Sequence, residues 1–156
     1  KPPQRQRAHQ IAQCRTVLGG QRLVPKLLDN ALEKILTLTT DAFEFDDART
    51  ASQVEPLEQV IDILVERLRA QHIKRLKDGA CSIDTGVVYL DVLNNVERIS
   101  DHCSNIAARL VGMEAGEDYD SHTLKNMMHH NPTKEYMLNY EQCRKDYLIP
   151  LEQLEA

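Results

Sequence analysis

Residues 94–107 combine two helix faces that require different surroundings. On one side, apolar residues recur alternately four and three residues apart, which is the spacing of a buried helix face: Val92, Val96, Ile99, Cys103, Ile106 and Leu110. Oxygen-bearing side chains follow a similar spacing on the other side, at Asn94, Glu97, Asp101 and Asn105. The stretch therefore predicts a long helix that buries one side in a core and presents the other to a polar or charged group.

A second acidic face with the same spacing occurs earlier in the chain, at Glu55, Glu58, Asp62 and Glu66. It too has an apolar stripe beside it, formed by Val54, Leu57, Ile61, Leu64 and Leu68. Two long amphipathic helices with acidic outer faces are predicted.

The residues between these helices predict an antiparallel turn, because Gly79 suits a helix end and Ser82 suits a helix start. Asp62 precedes Gly79 by seventeen residues and Glu97 follows it by eighteen. At about 1.5 Å per residue, both lie roughly 25 Å from the turn. By the same count Glu58 is level with Asp101, so two acidic pairs are expected to face each other.

The spacing of apolar residues in the rest of the chain predicts helices and no strand pair. Three long helices are expected at about 25–45, 47–78 and 82–112, with a cap at Asp46-Asp47 and a kink or helix start at Pro56. Shorter helices are expected at 8–18 and 122–129, and Asn131-Pro132 should open a last helix to about 149. The fold class is therefore all-α: an antiparallel three-helix bundle at 21–115, an N-terminal extension with a short helix at 1–20, and a loop and C-terminal helix packed on the bundle at 116–156.

Composition narrows the function. The net charge of −5 disfavours nucleic acid as a partner. No apolar run approaches the roughly 20 residues of a membrane span. The four cysteines form no C-x-x-C pair, which predicts reduced thiols in a cytosolic setting.

Residues 96–107, Val-Glu-Arg-Ile-Ser-Asp-His-Cys-Ser-Asn-Ile-Ala, resemble the E-R-I-x-D-H-x-x-N-I-A signature of PhoU domains. Residues 54–62, Val-Glu-Pro-Leu-Glu-Gln-Val-Ile-Asp, resemble the partner motif on the preceding helix. Cys103, Gly79-Ala80-Cys81-Ser82 and Ala70-Gln71-His72-Ile73 most resemble the PhoU-like cytoplasmic C-terminal tail of bacterial sodium/phosphate cotransporters. The resemblance extends over about residues 25–112.

Facing pairs of carboxylates can hold a cation through oxygen ligands. The alternative is a solvated acidic face beside Lys34, Arg69 and Arg98. The resemblance favours a metal, with iron or zinc as the expected ion. It assigns the ligand positions to Glu58, Asp62, Glu97 and Asp101.

Further ligands are conceivable around these four. Asn94 and Asn105 extend the acidic face, and Asp29 with Glu33 forms a same-face pair on the first helix at about the level of Asp62. His102 could bend toward a cluster, but it is first interpreted as a hydrogen-bonded histidine at an interface. His129-His130 is interpreted as a surface pair.

Two enzymatic or signalling alternatives stay open. All-α nucleotide pyrophosphohydrolases hold magnesium with E-x-x-E and E-x-x-D motifs, of which only Glu55-x-x-Glu58 is present here. Histidine phosphotransfer bundles need an exposed histidine in mid-helix, for which His72 is the candidate. No phosphate-binding loop or catalytic triad pattern accompanies the carboxylates, so the chain is not predicted to be an enzyme.

The function predicted from the resemblance is regulation of phosphate uptake and homeostasis by a cytoplasmic metal-binding domain. The expected partner is the membrane transporter portion of the same polypeptide, on the cytoplasmic side of the cell membrane. The start at Lys1 is compatible with a fragment of such a protein. A homodimer is also left open.

Overall fold

The computed structural model describes residues 23–116 and 120–155, and within these ranges the chain is helical and contains no strand. The helices are α1 (Leu23–Phe45), α2 (Ala48–Ala51), α3 (Val54–Lys77), α4 (Ile83–Ala115), α5 (Ser121–His130), α6 (Lys134–Cys143) and α7 (Ile149–Glu155), with a π-helical turn at Arg144–Leu148 between the last two. The long helices α1, α3 and α4 pack against one another, and α5 and α6 pack on α4 and α3 respectively. The all-α bundle with a C-terminal helical element is confirmed.

The break after α1 is made by two aspartates. Asp46 takes a left-handed conformation, with φ of 50°, which stops the helix as a glycine commonly does. The Asp47 side chain then accepts hydrogen bonds from the backbone N–H groups of Arg49 and Thr50 at 2.9 and 3.2 Å. The predicted cap therefore exists, but it opens the one-turn helix α2, and the long helix α3 starts anew at Val54. Pro56 lies in the first turn of α3, where its missing N–H breaks no helix hydrogen bond.

Gly79 makes the turn between α3 and α4. Its φ is +69°, and Ala80 N–H bonds back to the Arg75 carbonyl at 3.0 Å, which satisfies the end of α3. Because the turn is this short, α3 and α4 run antiparallel in contact, as the spacing about Gly79 predicts.

The core lies between the three long helices and is aliphatic. Its largest fully buried side chains include Ile35, Leu57, Ile61, Leu64, Leu68 and Leu93. Leu148 and Leu151 close one side from the C-terminal element. Burial of such side chains is the main stabilising contribution, about 1.5–3 kcal/mol each.

The buried face of α4 differs from the predicted stripe. Val92, Ile99 and Ile106 are 37–43% exposed, whereas Ser100 and Ser104 are completely buried. The stripe is displaced because both serines have hydrogen-bond acceptors inside the bundle, so a polar residue can lie on the inner face without penalty.

The C-terminal element also differs in detail. Thr133, rather than Asn131, caps α6, and its hydroxyl accepts from the Tyr136 N–H at 3.1 Å. The predicted single helix to 149 is interrupted by the π-helical turn. The predicted helix at 8–18 lies outside the described residues, and the domain boundaries stay a prediction. Within the described part of the chain, no helix combines the length and the apolar character needed to cross a membrane.

Candidate functional site

The ammonium group of Lys125, on α5, lies in an acidic cleft between α3 and α4. Its Nζ is 3.2 Å from Oδ1 of Asp101 and 3.4 Å from Oε1 of Glu58. Oε2 of Glu55 is 4.0 Å away. Only 15% of the Lys125 side chain is exposed. The cleft is lined by Glu58, Gln59, Asp62, Ile63, Asp101, His122, Lys125, Asn126, His129 and Tyr140.

Helical spacing explains why these side chains meet. Glu58 and Asp62 are four residues apart on α3, and Asp101 lies opposite them on α4. Lys125 and His129 are likewise four residues apart, so both extend from one face of α5. Three helices thus contribute charged side chains to the cleft, and α6 adds Tyr140 to its lining.

Glu55 is the most deeply buried acid of the site, with 2% exposure. Its Oε1 lies 2.6 Å from Nε2 of His129 on α5. Its other oxygen accepts a hydrogen bond from the Ser104 hydroxyl on α4. A buried carboxylate needs such partners in place of water. Glu55 therefore joins α3 to both α4 and α5.

Two carboxyl groups of the cleft have raised pKa values. Burial, followed by the negative charges of Glu55 and Asp62, raises the pKa of Glu58 to about 8, even though Lys125 acts in the opposite direction. Partial loss of hydration, followed by the charges of Glu97 and Asp101, raises the pKa of Asp62 to about 6, although much of Asp62 is open to solvent. Glu58 and Asp101 lie within 3.4 Å of the same Lys125 nitrogen. The charge of Glu97 acts on Asp62, and the facing arrangement of all four acids stays a prediction.

The ammonium group of Lys125 resists deprotonation. Burial alone would lower the pKa of its ammonium, but the charges of Glu55 and Glu58 and the hydrogen bond to Asp101 outweigh burial, and the pKa is raised. The lysine therefore remains a cation in the cleft at neutral pH. It partly neutralises carboxylates that would otherwise repel one another.

Glu97 is paired with Arg69 and not with Lys125, which contacts Glu58 and Asp101. Its Oε2 accepts a hydrogen bond from Arg69 Nη2 at 2.7 Å. The same nitrogen donates to Oδ1 of Asn94 at 3.0 Å. Arg69 therefore neutralises Glu97 from the α3 side and holds Asn94 beside it.

The remaining candidate ligands lie elsewhere. His102 and Asn105 line a different depression, between Phe43 of α1 and the end of α4. Asp29 and Glu33 are exposed on α1 and are not among the residues that line the acidic cleft. The structure thus brings Glu58, Asp62 and Asp101 together in the cleft, whereas Glu97 is not among the residues that line it.

As arranged here, the cleft does not fit a metal ion. Among the residues that the structure describes, no group of three or more His, Cys, Asp or Glu side chains is placed to hold one. Protein oxygens bind metal ions at about 2.0–2.6 Å. Lys125 Nζ lies between the Glu58 and Asp101 oxygens that an ion would have to bridge. The carboxylate oxygens are of the type that binds metal ions, but they already contact the ammonium group of Lys125.

Sequence reasoning missed the residues that bind these acids. It assigned no role to Lys125, which contacts the cleft from α5. It interpreted His129 and His130 as surface residues, and both are exposed, but it missed the contact of His129 with Glu55. The signal available was the four-residue spacing of Lys125 and His129 in a segment already predicted to be helical. Nothing in that spacing identifies α3 as the surface on which α5 packs.

His72 does not suit a phosphotransfer role. It is fully buried, its ring centroid is 4.6 Å from that of Tyr89, and Arg75 Nη2 is 3.2 Å from its Nδ1. Burial lowers the pKa of the imidazole, and the charge of Arg75 adds to this effect. A phosphoacceptor histidine must reach an external donor, so His72 is a packed core residue.

Comparison with known proteins finds a matching family model and similar curated proteins. The family model described as "PhoU domain" matches residues 26–110, which include all four predicted ligands. The chain is 25% identical over 96 residues to the phosphate-specific transport system accessory protein PhoU homolog 1 of Thermotoga maritima, covering 60% of this chain and 41% of the relative.

It is also 34% identical over 79 residues to the phosphate-specific transport system accessory protein PhoU homolog of Streptococcus pneumoniae, covering 51% of this chain and 37% of the relative. The chain thus spans about two fifths of the length of these curated relatives. No solved structure matches the chain significantly.

Proposed function

The chain belongs to the PhoU domain family, and from this membership we propose that it is a non-catalytic regulatory domain acting in phosphate transport and homeostasis. The observation that carries the proposal is the acidic cleft within the matched residues, where Lys125 Nζ lies 3.4 Å from Glu58 of α3 and 3.2 Å from Asp101 of α4. The relatives' description as accessory proteins of a phosphate-specific transport system favours a regulatory role over a catalytic one.

The proposed ligand of the acidic cleft is a metal ion, with iron or zinc first, held by Glu58, Asp62, Glu97 and Asp101. Support comes from the raised pKa values of Glu58 and Asp62, because an added cation would relieve the unfavourable charge that raises them. A bound ion would neutralise the charge of these carboxylates. This role requires Lys125 to leave its present position.

The proposed cellular context is the cytoplasmic side of the membrane, attached to a sodium-dependent phosphate transporter in the same polypeptide. The support is the resemblance at Cys103, at Gly79-Ala80-Cys81-Ser82 and at Ala70-Gln71-His72-Ile73. The complete gene tests this attachment alone: adjacent membrane spans support it, and a complete reading frame without them rejects it.

The regulatory role is tested by phosphate uptake in cells. The chromosomal copy is changed to Asp62→Asn with Asp101→Asn, and uptake of radiolabelled phosphate is compared in phosphate-rich and phosphate-limited medium. We expect the double variant to lose the difference between the two media, because the acidic cleft can no longer respond.

The matched control is Asp41→Asn with Asp91→Asn, which removes two exposed carboxylates from α1 and α4 outside the cleft. Immunoblots establish equal amounts of protein. A double cleft variant that regulates uptake like the parent would reject the proposed function.

A further inference from the structure

An apolar groove runs along the surface between α1 and α4, which pack side by side. Phe43 of α1 lines one end of this groove together with Ile106 and Met113 of α4. Leu36 and Ile99 each lie seven residues earlier, on nearly the same helix faces and about 10 Å further along the groove. All five side chains are exposed, Phe43 to 70%. Exposed apolar residues that form a continuous surface mark a site of contact with another molecule.

The groove residues are not part of the three-helix core. Ile35 and Ala42 of α1, and Ser100 and Ala107 of α4, are buried, and each of them is adjacent in sequence to a groove residue. Neighbouring residues on a helix point about 100° apart. The core is therefore filled by one face of each helix, and the groove is formed by a second, separate face.

The two rims of the groove carry opposite charges. Glu44 follows Phe43 in sequence, so it points to the side of the groove away from the core, and Glu33 lies on the same exposed side of α1. Arg98 and Arg109 occupy the corresponding side of α4 and are also exposed. The α1 rim is therefore acidic and the α4 rim is basic.

The charged positions of the two rims are also level with each other. Phe43 and Ile106 lie together at one end of the groove, and Glu44 and Arg109 follow them by one and three residues. By the same count Glu33 and Arg98 are offset by two residues. An offset of two residues is about 3 Å along a helix. Each acidic position thus has a basic counterpart at nearly the same height.

We propose that the groove binds a second copy of this chain, related to the first by a two-fold axis parallel to α1 and α4. In this arrangement the acidic rim of α1 lies against the basic rim of α4 of the second copy, and symmetry repeats the contact on the other side of the axis. The four apolar strips meet around the axis, and their seven-residue spacing is that of helices that pack lengthwise.

The charges favour a second copy over another kind of partner. A uniformly acidic partner would be repelled by the α1 rim, and a uniformly basic one by the α4 rim. A second copy presents both charges in the required order, around an apolar centre with a polar rim. This inference goes beyond the regulatory function proposed above and uses no metal ion.

Sedimentation equilibrium of the full chain, in buffer with EDTA and over a series of concentrations, measures the dissociation constant of the dimer. We expect Phe43→Glu to raise this constant at least about tenfold, because a charge would be buried among apolar side chains. The matched control is Phe45→Glu, which adds the same charge at an equally exposed position that points about 200° away from Phe43. It should associate like the parent. Circular dichroism establishes that both variants are folded.

Exchanging the charges of one pair tests the two-fold arrangement itself. Arg98→Glu should weaken association, because it brings like charges together at both copies of the contact. Arg98→Glu combined with Glu33→Arg should restore association toward the parent value. Both positions are exposed, so the exchange leaves the core of each copy unchanged.

Three results would overturn the proposal. A parent chain that sediments as a monomer at every concentration would show that a second copy does not bind. A dimer that Phe43→Glu leaves intact would form through another surface. A dimer that Arg98→Glu weakens and the charge exchange does not restore would have a different symmetry from the one proposed.

Discussion

Lys125 and Asp101 are joined across two helices, with Nζ 3.2 Å from Oδ1. Asp101 belongs to the motif that faces the acidic pair of α3, whereas Lys125 comes from a helix outside the three-helix bundle. The acidic cleft of this PhoU domain is therefore partly neutralised by its own C-terminal element. Any cation that uses the cleft has to compete with an ion pair already present.

The raised pKa of Glu58 predicts a pH-dependent stability. Its ordinary value is 4.5 and its folded value is about 8, so between these pH values the folded chain retains a proton that the unfolded chain has released. Its contribution to the free energy of unfolding therefore falls as the pH rises through this window. Glu58→Gln mimics the protonated acid, and at pH 8 we expect it to be more stable than the parent by at least about 1 kcal/mol.

Urea unfolding at pH 5 and pH 8 measures this effect, with Glu44→Gln on the exposed side of α1 as control. The gain from Glu58→Gln should be larger at pH 8 than at pH 5. If Glu58→Gln gains equal stability at both pH values, or loses stability at pH 8, the prediction is wrong. The attraction of Lys125 for ionised Glu58 would then outweigh the cost of burying its charge.

Ser104 should contribute to the stability of the fold, because its hydroxyl donates a hydrogen bond to the buried carboxylate of Glu55. Ser104→Ala removes a hydrogen bond to a charged group, and we expect a loss of about 1.5–3 kcal/mol in the free energy of unfolding. Ser100→Ala is a closely matched control: it is equally buried on the same helix, but its hydroxyl donates to the Glu97 carbonyl within α4. Chemical denaturation that shows equal losses for the two variants would remove the special role of Glu55.

Arg69 should affect cation binding more than stability. Its ion pair with Glu97 is about a third exposed on the arginine side, so Arg69→Gln should change the free energy of unfolding by less than about 1 kcal/mol. It also frees Glu97 and Asn94 from their present partner. Calorimetric titration with MnCl₂ should therefore show tighter binding in Arg69→Gln. Weaker binding would mean that Arg69 orients Glu97 for the cation instead of competing with it.

The long helices were predictable because their ends carry strong local signals. Gly79 with its left-handed φ and the Asp47 side chain mark breaks that sequence chemistry alone indicates. The inner face of α4 was not predictable from hydrophobicity. Ser100 and Ser104 are buried in place of Ile99 and Ile106, because hydrogen bonds satisfy their hydroxyl groups.

The carboxylates of the acidic cleft could be predicted from the sequence. The positively charged and imidazole side chains that contact them could not. Counting residues about Gly79 is sufficient to align Glu58 with Asp101, which share the Lys125 ammonium group, because one short turn fixes the relation of two helices. Lys125 and His129 follow a separate connection, so no counting rule relates them to α3. Glu55 belonged to an acidic face that would ordinarily be solvated, and only the packing of α4 and α5 shows that it is buried.

Binding of a cation by the two acidic pairs is measured by the melting temperature with and without metal. The protein is purified without chelator, and any bound metal is then removed. Its melting temperature is measured alone, with ZnCl₂, with MnCl₂ and, in the absence of oxygen, with FeSO₄. A ligand that binds only the folded state raises the melting temperature, and its stabilisation grows with the logarithm of ligand concentration over dissociation constant. We predict a rise for the parent with at least one of these ions and no rise for Asp62→Asn with Asp101→Asn. An unchanged melting temperature with all three ions, or an equal rise in the double variant, would contradict the claim.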